Sequence, residues 1–192
     1  MSSSINVFVV DLDQLRGAIG ARNEKLVAAI CEDQESFLAT IDDIDDEAEL
    51  KCGEAVGHLI CGTPSDEYPG YLYGYALEAI CRQLGRELEN ICPICGASDW
   101  LEEVDQALQD QKVPVALSML VYGICPVEIP TPDDYPFIGS WPHESIPPAL
   151  AALQRLETFG LDREMTETFQ QIRSWLADAA TTPGQAIMGF LS

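Results

Sequence analysis

From Ile5 to Leu12 the chain reads INVFVVDL, a run of β-branched and aromatic residues that predicts a core strand. Beyond it the hydrophobic spacing lengthens to that of helices. Asp13 is placed to cap a short helix through Leu15, Ala18 and Ile19, with Gly20 as its stop. Asn23 caps a second helix, whose stripe of Leu26, Val27, Ala29 and Ile30 ends near Cys31. A third runs from Ala48 to Ile60, buries Cys52, Ala55, Val56, Leu59 and Ile60, and closes at Gly62-Thr63-Pro64. The tyrosine-rich stretch from Tyr68 to Tyr75 leads into a helix over 76–84 that Gly85 ends. Asp99 and Glu102 form a capping box for a helix from Trp100 to Leu108. Ser145 precedes a proline-started helix through Leu150, Leu153 and Leu156, and Asp162 caps a long one that turns Phe169, Ile172, Trp175 and Leu176 inward. Gln185 to Leu191, QAIMGFL, reads as a second strand.

Between these helices, residues Val113 to Trp141 divide into two chemically different halves. Val113, Val115, Ala116, Leu117, Met119, Leu120, Val121 and Tyr122 leave Ser118 as the polar exception, so the first half is expected to lie in the centre of the core and to end at Gly123. The second half carries Pro126, Pro130, Pro132 and Pro136, which rule out a regular helix. Its Val127, Ile129, Tyr135, Phe137, Ile138 and Trp141 give it apolar surface to pin down, so it is expected to be a loop of defined shape. A strand at each end of a mostly helical chain predicts an α+β fold, in which the two termini meet in one small sheet within a single globular domain over residues 1–192.

Charge adds what the pattern cannot. Thirty-two acidic residues against ten basic ones give a net charge of −22, which repels nucleic acid and anionic membrane and favours a basic protein partner. The same charge would suit a DNA-mimic protein, if the carboxylates formed regular rows. No stretch is long and apolar enough to span a membrane, and the amino terminus lacks the basic head of a signal peptide, so a cytoplasmic location is expected. Seven cysteines, an odd number, fit reduced thiols better than a disulfide framework. The run Asp42, Asp43, Asp45, Asp46 and Glu47 lacks the glycine and terminal glutamate of an EF-hand, and complements the positive end of the helix that follows.

Candidate chemistry is sparse. Cys92-Pro93-Ile94-Cys95-Gly96 has the spacing of one zinc knuckle, and His58 with Cys61, three positions apart on a helix, could complete a Cys3His structural zinc site. The pair could instead be redox active, although Arg86 to Asn90 has little strand propensity where a glutaredoxin would need a strand. A plain loop with two free thiols is the simpler reading. His58 and His143 stand near no nucleophile motif, and no phosphate-binding or dinucleotide fingerprint occurs, so neither a cofactor nor a catalytic residue is expected. Asp133, Asp134, Tyr135, Phe137 and Trp141 combine acidic groups with aromatic anchors on a stiff loop, the chemistry of a partner-binding surface. The resulting expectation is an acidic binding domain without catalysis, such as an immunity-type protein that neutralises a basic toxin.

Three segments resemble an uncharacterised bacterial domain family of unknown function: Tyr73-Gly74-Tyr75-Ala76-Leu77-Glu78, Pro130-Thr131-Pro132-Asp133-Asp134-Tyr135-Pro136-Phe137-Ile138-Gly139, and Trp175-Leu176-Ala177-Asp178-Ala179-Ala180 with the closing Met188-Gly189-Phe190. The resemblance runs from the opening strand and Asp11-Leu12 to the final Gly-Phe. A Pro-Gly loop entering a helix, then a helix with a terminal alanine pair and a last strand, is also distantly similar to YfbM-like domains. Neither resemblance implies an activity or catalytic residues, and the pattern does not include Cys92 and Cys95.

Overall fold

In the computed structural model, which describes residues 4–90, 98–155 and 162–192, the strands at the two ends of the chain pair with each other. The elements run β1 (Ile5–Asp11), α1 (Leu12–Ala18), α2 (Glu24–Asp33), α3 (Glu35–Asp42), α4 (Cys52–Cys61), α5 (Gly70–Leu84), β2 (Arg86–Leu88), α6 (Ser98–Asp110), α7 (Leu117–Tyr122), β3 (Phe137–Trp141), α8 (Ile146–Gln154), α9 (Arg163–Ala179) and β4 (Gln185–Leu191). One antiparallel sheet in the order β2-β1-β4-β3, with helices making up most of the rest, is the α+β arrangement expected. Among the described residues no helix is long and apolar enough to cross a membrane.

The chain forms two compact units: the first comprises Met1–Val9, Glu87–Cys125 and Ile138–Ser192, the second Val10–Arg86 and Pro126–Phe137. In the first, Ser4 and Ser192 exchange backbone hydrogen bonds of 2.8 and 2.9 Å, which sets the register of β1 against β4. Phe8 and Phe190 then lie on one face of the pair, edge to face at 5.8 Å. On the other face the backbone of α7 lies on the sheet. A Cβ built on Gly139 of β3 would overlap the Met119 carbonyl oxygen and come 2.7 Å from the Leu120 carbonyl carbon; one built on Gly189 of β4 would overlap the Leu120 carbonyl oxygen. Glycine at both positions admits a helix that any side chain would lift away.

The start of α7 is held from two sides. The Asp105 carboxylate of α6 accepts from the Leu117 and Ser118 N–H groups, serving as a cap from another helix, and the Trp141 indole donates to the Ala116 carbonyl at 2.8 Å. At the far edge, β2 forms from Arg86–Leu88 in spite of poor strand propensity. The Glu89 carbonyl beside it accepts from Gln171 and Trp175 of α9, both at 2.9 Å, and Asn90 donates to the Ile5 carbonyl. Tertiary hydrogen bonds thus supply what the residue types do not. The expectation that no strand precedes the Cys92 pair is corrected accordingly.

The second unit is built on α5, packed against α4 and α1. Several expected boundaries move. Asp11, not Asp13, caps α1, its Oδ1 accepting from the Asp13 and Gln14 N–H groups at 2.9 and 3.0 Å. A further helix, α3, leads into the acidic run, and α4 begins at Cys52 rather than Ala48. The acidic run does meet the start of α4: Asp42 Oδ1 accepts from the Cys52 N–H at 2.8 Å. Asn23 and Asp162 cap α2 and α9 as expected. Gly62, at φ +74°, ends α4 in the left-handed conformation.

Replacing Gly139 or Gly189 by alanine is expected to lower stability by about 1–3 kcal/mol, because rigid backbone stands where the methyl would go. Gly17→Ala is the control. Nothing lies within 4 Å of a Cβ there, so alanine in the last turn of α1 should leave stability unchanged or raise it by about 0.5–1 kcal/mol. Urea denaturation midpoints of the three variants check the contrast.

Candidate functional site

Within the second unit, the segment Pro126–Phe137 is seated on the amino-terminal half of α5. That helix starts at Gly70, so Tyr71, Tyr73 and Tyr75 lie inside it rather than ahead of it. Gly70 and Gly74, one turn apart, form the seat. A Cβ on Gly70 would overlap the Thr131 carbonyl, and one on Gly74 would come 2.9 Å from the Pro136 ring and 3.1 Å from that of Pro132. Prolines with no N–H to satisfy can lie flat against a helix in this way. At the upstream end Arg16 Nε donates to the Pro126 carbonyl at 3.3 Å. The loop therefore has a defined shape because α5 provides a smooth strip to receive it.

The five residues expected to bind a partner are not equivalent. Asp133 and Asp134 are exposed, and Asp134 Oδ1 is folded back onto the Tyr135 N–H at 2.8 Å. Tyr135 is 39% exposed and stands edge-on to the half-buried Phe137 at 5.0 Å. Trp141 is a different case, with no exposed surface. Its ring lies 6.5 Å from Trp175 in the core of the first unit, a position that an apolar, aromatic loop pattern could not distinguish from display. The exposed set is thus Asp133, Asp134 and Tyr135, backed by Phe137.

Beneath this loop the electrostatics are unusual. Glu78 is completely buried and pairs with Arg82 one turn on, through Nη2 at 2.7 Å and Nε at 3.2 Å. The guanidinium lies 4.6 Å over the Phe37 ring, which in turn meets Tyr75 edge-on at 6.4 Å. Burial, with the carboxylates of Glu78 and Asp134, pushes the Tyr75 phenol up to about 12. Burial and the carboxylates of Asp42 and Glu78 do the same to the Cys52 thiol. Cys52 therefore stays protonated, and it is no nucleophile near neutral pH. Tyr71, also raised to about 12 by burial and by its hydrogen bond to Asp45, is held the same way.

His58 Nδ1 lies 3.0 Å from the Tyr73 hydroxyl, whose oxygen also accepts from the Ser65 N–H, so His58 is tied into the α4–α5 contact. Cys61 is on the same helix, half-buried. Cys92 and Cys95 fall outside the described residues. Among the described residues no three His, Cys, Asp or Glu side chains group closely enough to hold a metal ion. His143 is a surface residue, 3.2 Å from the Glu144 carboxylate.

Fold and loop together define an α+β protein with a braced acidic surface loop. The chain belongs to the family described as a domain of unknown function, DUF7691, whose model matches residues 1–192. No curated protein and no solved structure matches it.

Two outcomes are expected here. Gly74→Ala should unseat the loop, costing about 1–3 kcal/mol and admitting limited proteolysis within residues 126–137 that the parent resists. Alkali should also weaken the fold. Cys52 and Tyr75 have ordinary values of 9.0 and 10.0 and are held to about 12 when folded. Their contribution is therefore complete below the unfolded values and is lost as pH rises through the folded ones. The urea midpoint should fall from roughly pH 9 to 11, and less steeply for Tyr75→Phe; a flat profile would contradict the assignment.

Proposed function

We propose that this chain is an acidic, non-catalytic protein-binding domain of the cytoplasm whose partner is a basic protein, as an immunity-type protein would be for a basic toxin. The observation that carries the reading is the loop at Asp133, Asp134 and Tyr135, exposed yet held against Gly70 and Gly74. A surface that is already ordered loses little entropy on binding, and an aromatic group flanked by carboxylates suits a lysine- or arginine-rich epitope. The net charge of −22 supports the same partner class by accelerating encounter. Thiols at Cys31, Cys52 and Cys61 that take part in no disulfide fit a reducing compartment.

The test is recovery of a protein partner by tagged pull-down from the native host, followed by binding kinetics over a range of salt. Association is expected to slow as salt rises, and the pair Asp133→Asn with Asp134→Asn to reduce both the on-rate and its salt dependence by a few-fold. Tyr135→Ala should act mainly on dissociation, weakening affinity by about tenfold. Failure to recover a protein, or an affinity indifferent to salt and to all three substitutions, rejects the reading.

A further inference from the structure

The first unit carries a second surface, formed by α6 and α7. Met119 and Tyr122 of α7 are 50% and 54% exposed, and Ile124, just beyond the helix, is 86% exposed. This stretch was expected to be buried on every side, and only Leu117, Leu120 and Val121 of the helix are. Met119 and Tyr122 are three residues apart and so share one face. Two depressions of about 530 and 580 Å³ border them and share Asp105 and Gln109; Leu101, Glu102 and Tyr122 line the first, and Val115 and Met119 the second.

The α6 side of this face is acidic, with Glu102 lining the first depression, and Lys112, beyond the end of that helix, lines the second. The helix α6 holds Asp99, Glu102, Glu103, Asp105 and Asp110 and no Lys or Arg. Asp105 is committed to capping α7, while Glu102 and Glu103 are exposed. The floor is rigid, since Gly139 and Gly189 let α7 lie directly on the sheet and the Trp141 indole holds its first turn. A preformed apolar strip with a flexible methionine and a negatively charged bank has the chemistry that receives one side of an amphipathic helix. A second copy of this chain is a poor occupant, because each copy carries a charge of −22. An anionic membrane surface is repelled for the same reason.

We infer that the α6–α7 face is a docking groove for a basic amphipathic helix of a protein partner, with apolar contact at Met119 and Tyr122 and charge pairing at Glu102. The partner class is shared with the loop reading; the surface is not.

The probe is a fluorescein-labelled leucine–lysine amphipathic peptide of about five helical turns, titrated by anisotropy at a Debye length of about 8 Å. Saturable binding is expected. Met119→Asp and, separately, Tyr122→Ser should each weaken it about tenfold or more, whereas Asp133→Asn with Asp134→Asn should change it less than about twofold. Both groove positions are half-exposed, and unchanged circular dichroism confirms that the variants fold. Met119→Asp adds negative charge, so a response to overall charge alone would leave binding unchanged or tighter, and that result overturns the inference. Absence of peptide binding also overturns it and leaves the loop reading to its own pull-down.

Discussion

Where a carbonyl group of one segment occupies the place of another segment's missing Cβ, the two backbones can touch, and each unit of this protein depends on that contact. In the first, α7 rests on β3 and β4 through Gly139 and Gly189. In the second, the Thr131 carbonyl rests on α5 at Gly70, and the rings of Pro132 and Pro136 lie against Gly74 one turn on. Interiors packed at crystal-like density have no slack to absorb a methyl group at such a point. The glycines thus set the height at which α7 presents Met119 and Tyr122, and the height at which the loop presents Asp133 to Tyr135.

Polar groups then fix what the glycines allow. Asp105 and Trp141 hold the first turn of α7 from a neighbouring helix and strand, satisfying backbone groups that a six-residue helix cannot satisfy internally. Glu78 and Arg82 do a related task under the loop. A buried ion pair adds little net stability, but removing one partner costs about 3–5 kcal/mol, so the pair constrains how the residues around it pack. Phe37 and Tyr75 complete that cluster, and burial, with the carboxylates of Glu78 and Asp134, raises the Tyr75 phenol.

The surroundings of Cys52 speak against its serving as a nucleophile near neutral pH. Burial, and then the carboxylates of Asp42 and Glu78, oppose ionisation of Cys52. What the surface offers is a set of exposed carboxylates beside aromatic or apolar groups on braced elements, an arrangement suited to recognition.

Legibility in the sequence followed the reach of each interaction. The α+β class, the terminal strands, and the caps at Asn23 and Asp162 were readable because periodicity and capping act within a few residues. Asp11 was not read as a cap because it also ends a strand whose apolar pattern dominates the window. The edge strand β2 was missed because hydrogen bonds from Gln171 and Trp175 sustain it, more than eighty residues away in the chain. The same limit governed the surfaces. Residue types alone grouped Trp141 with Asp133, Asp134 and Tyr135 and placed Tyr122 in the core, whereas Trp141 is buried and Tyr122 is on the surface. A side chain's type sets the free energy of its transfer from water, and so the sequence by itself determined which groups favour burial and which local elements form. Which of the apolar groups found room inside was decided only by the tertiary structure, because space beside a helix is created by residues distant in the chain, here the glycines of β3, β4 and α5.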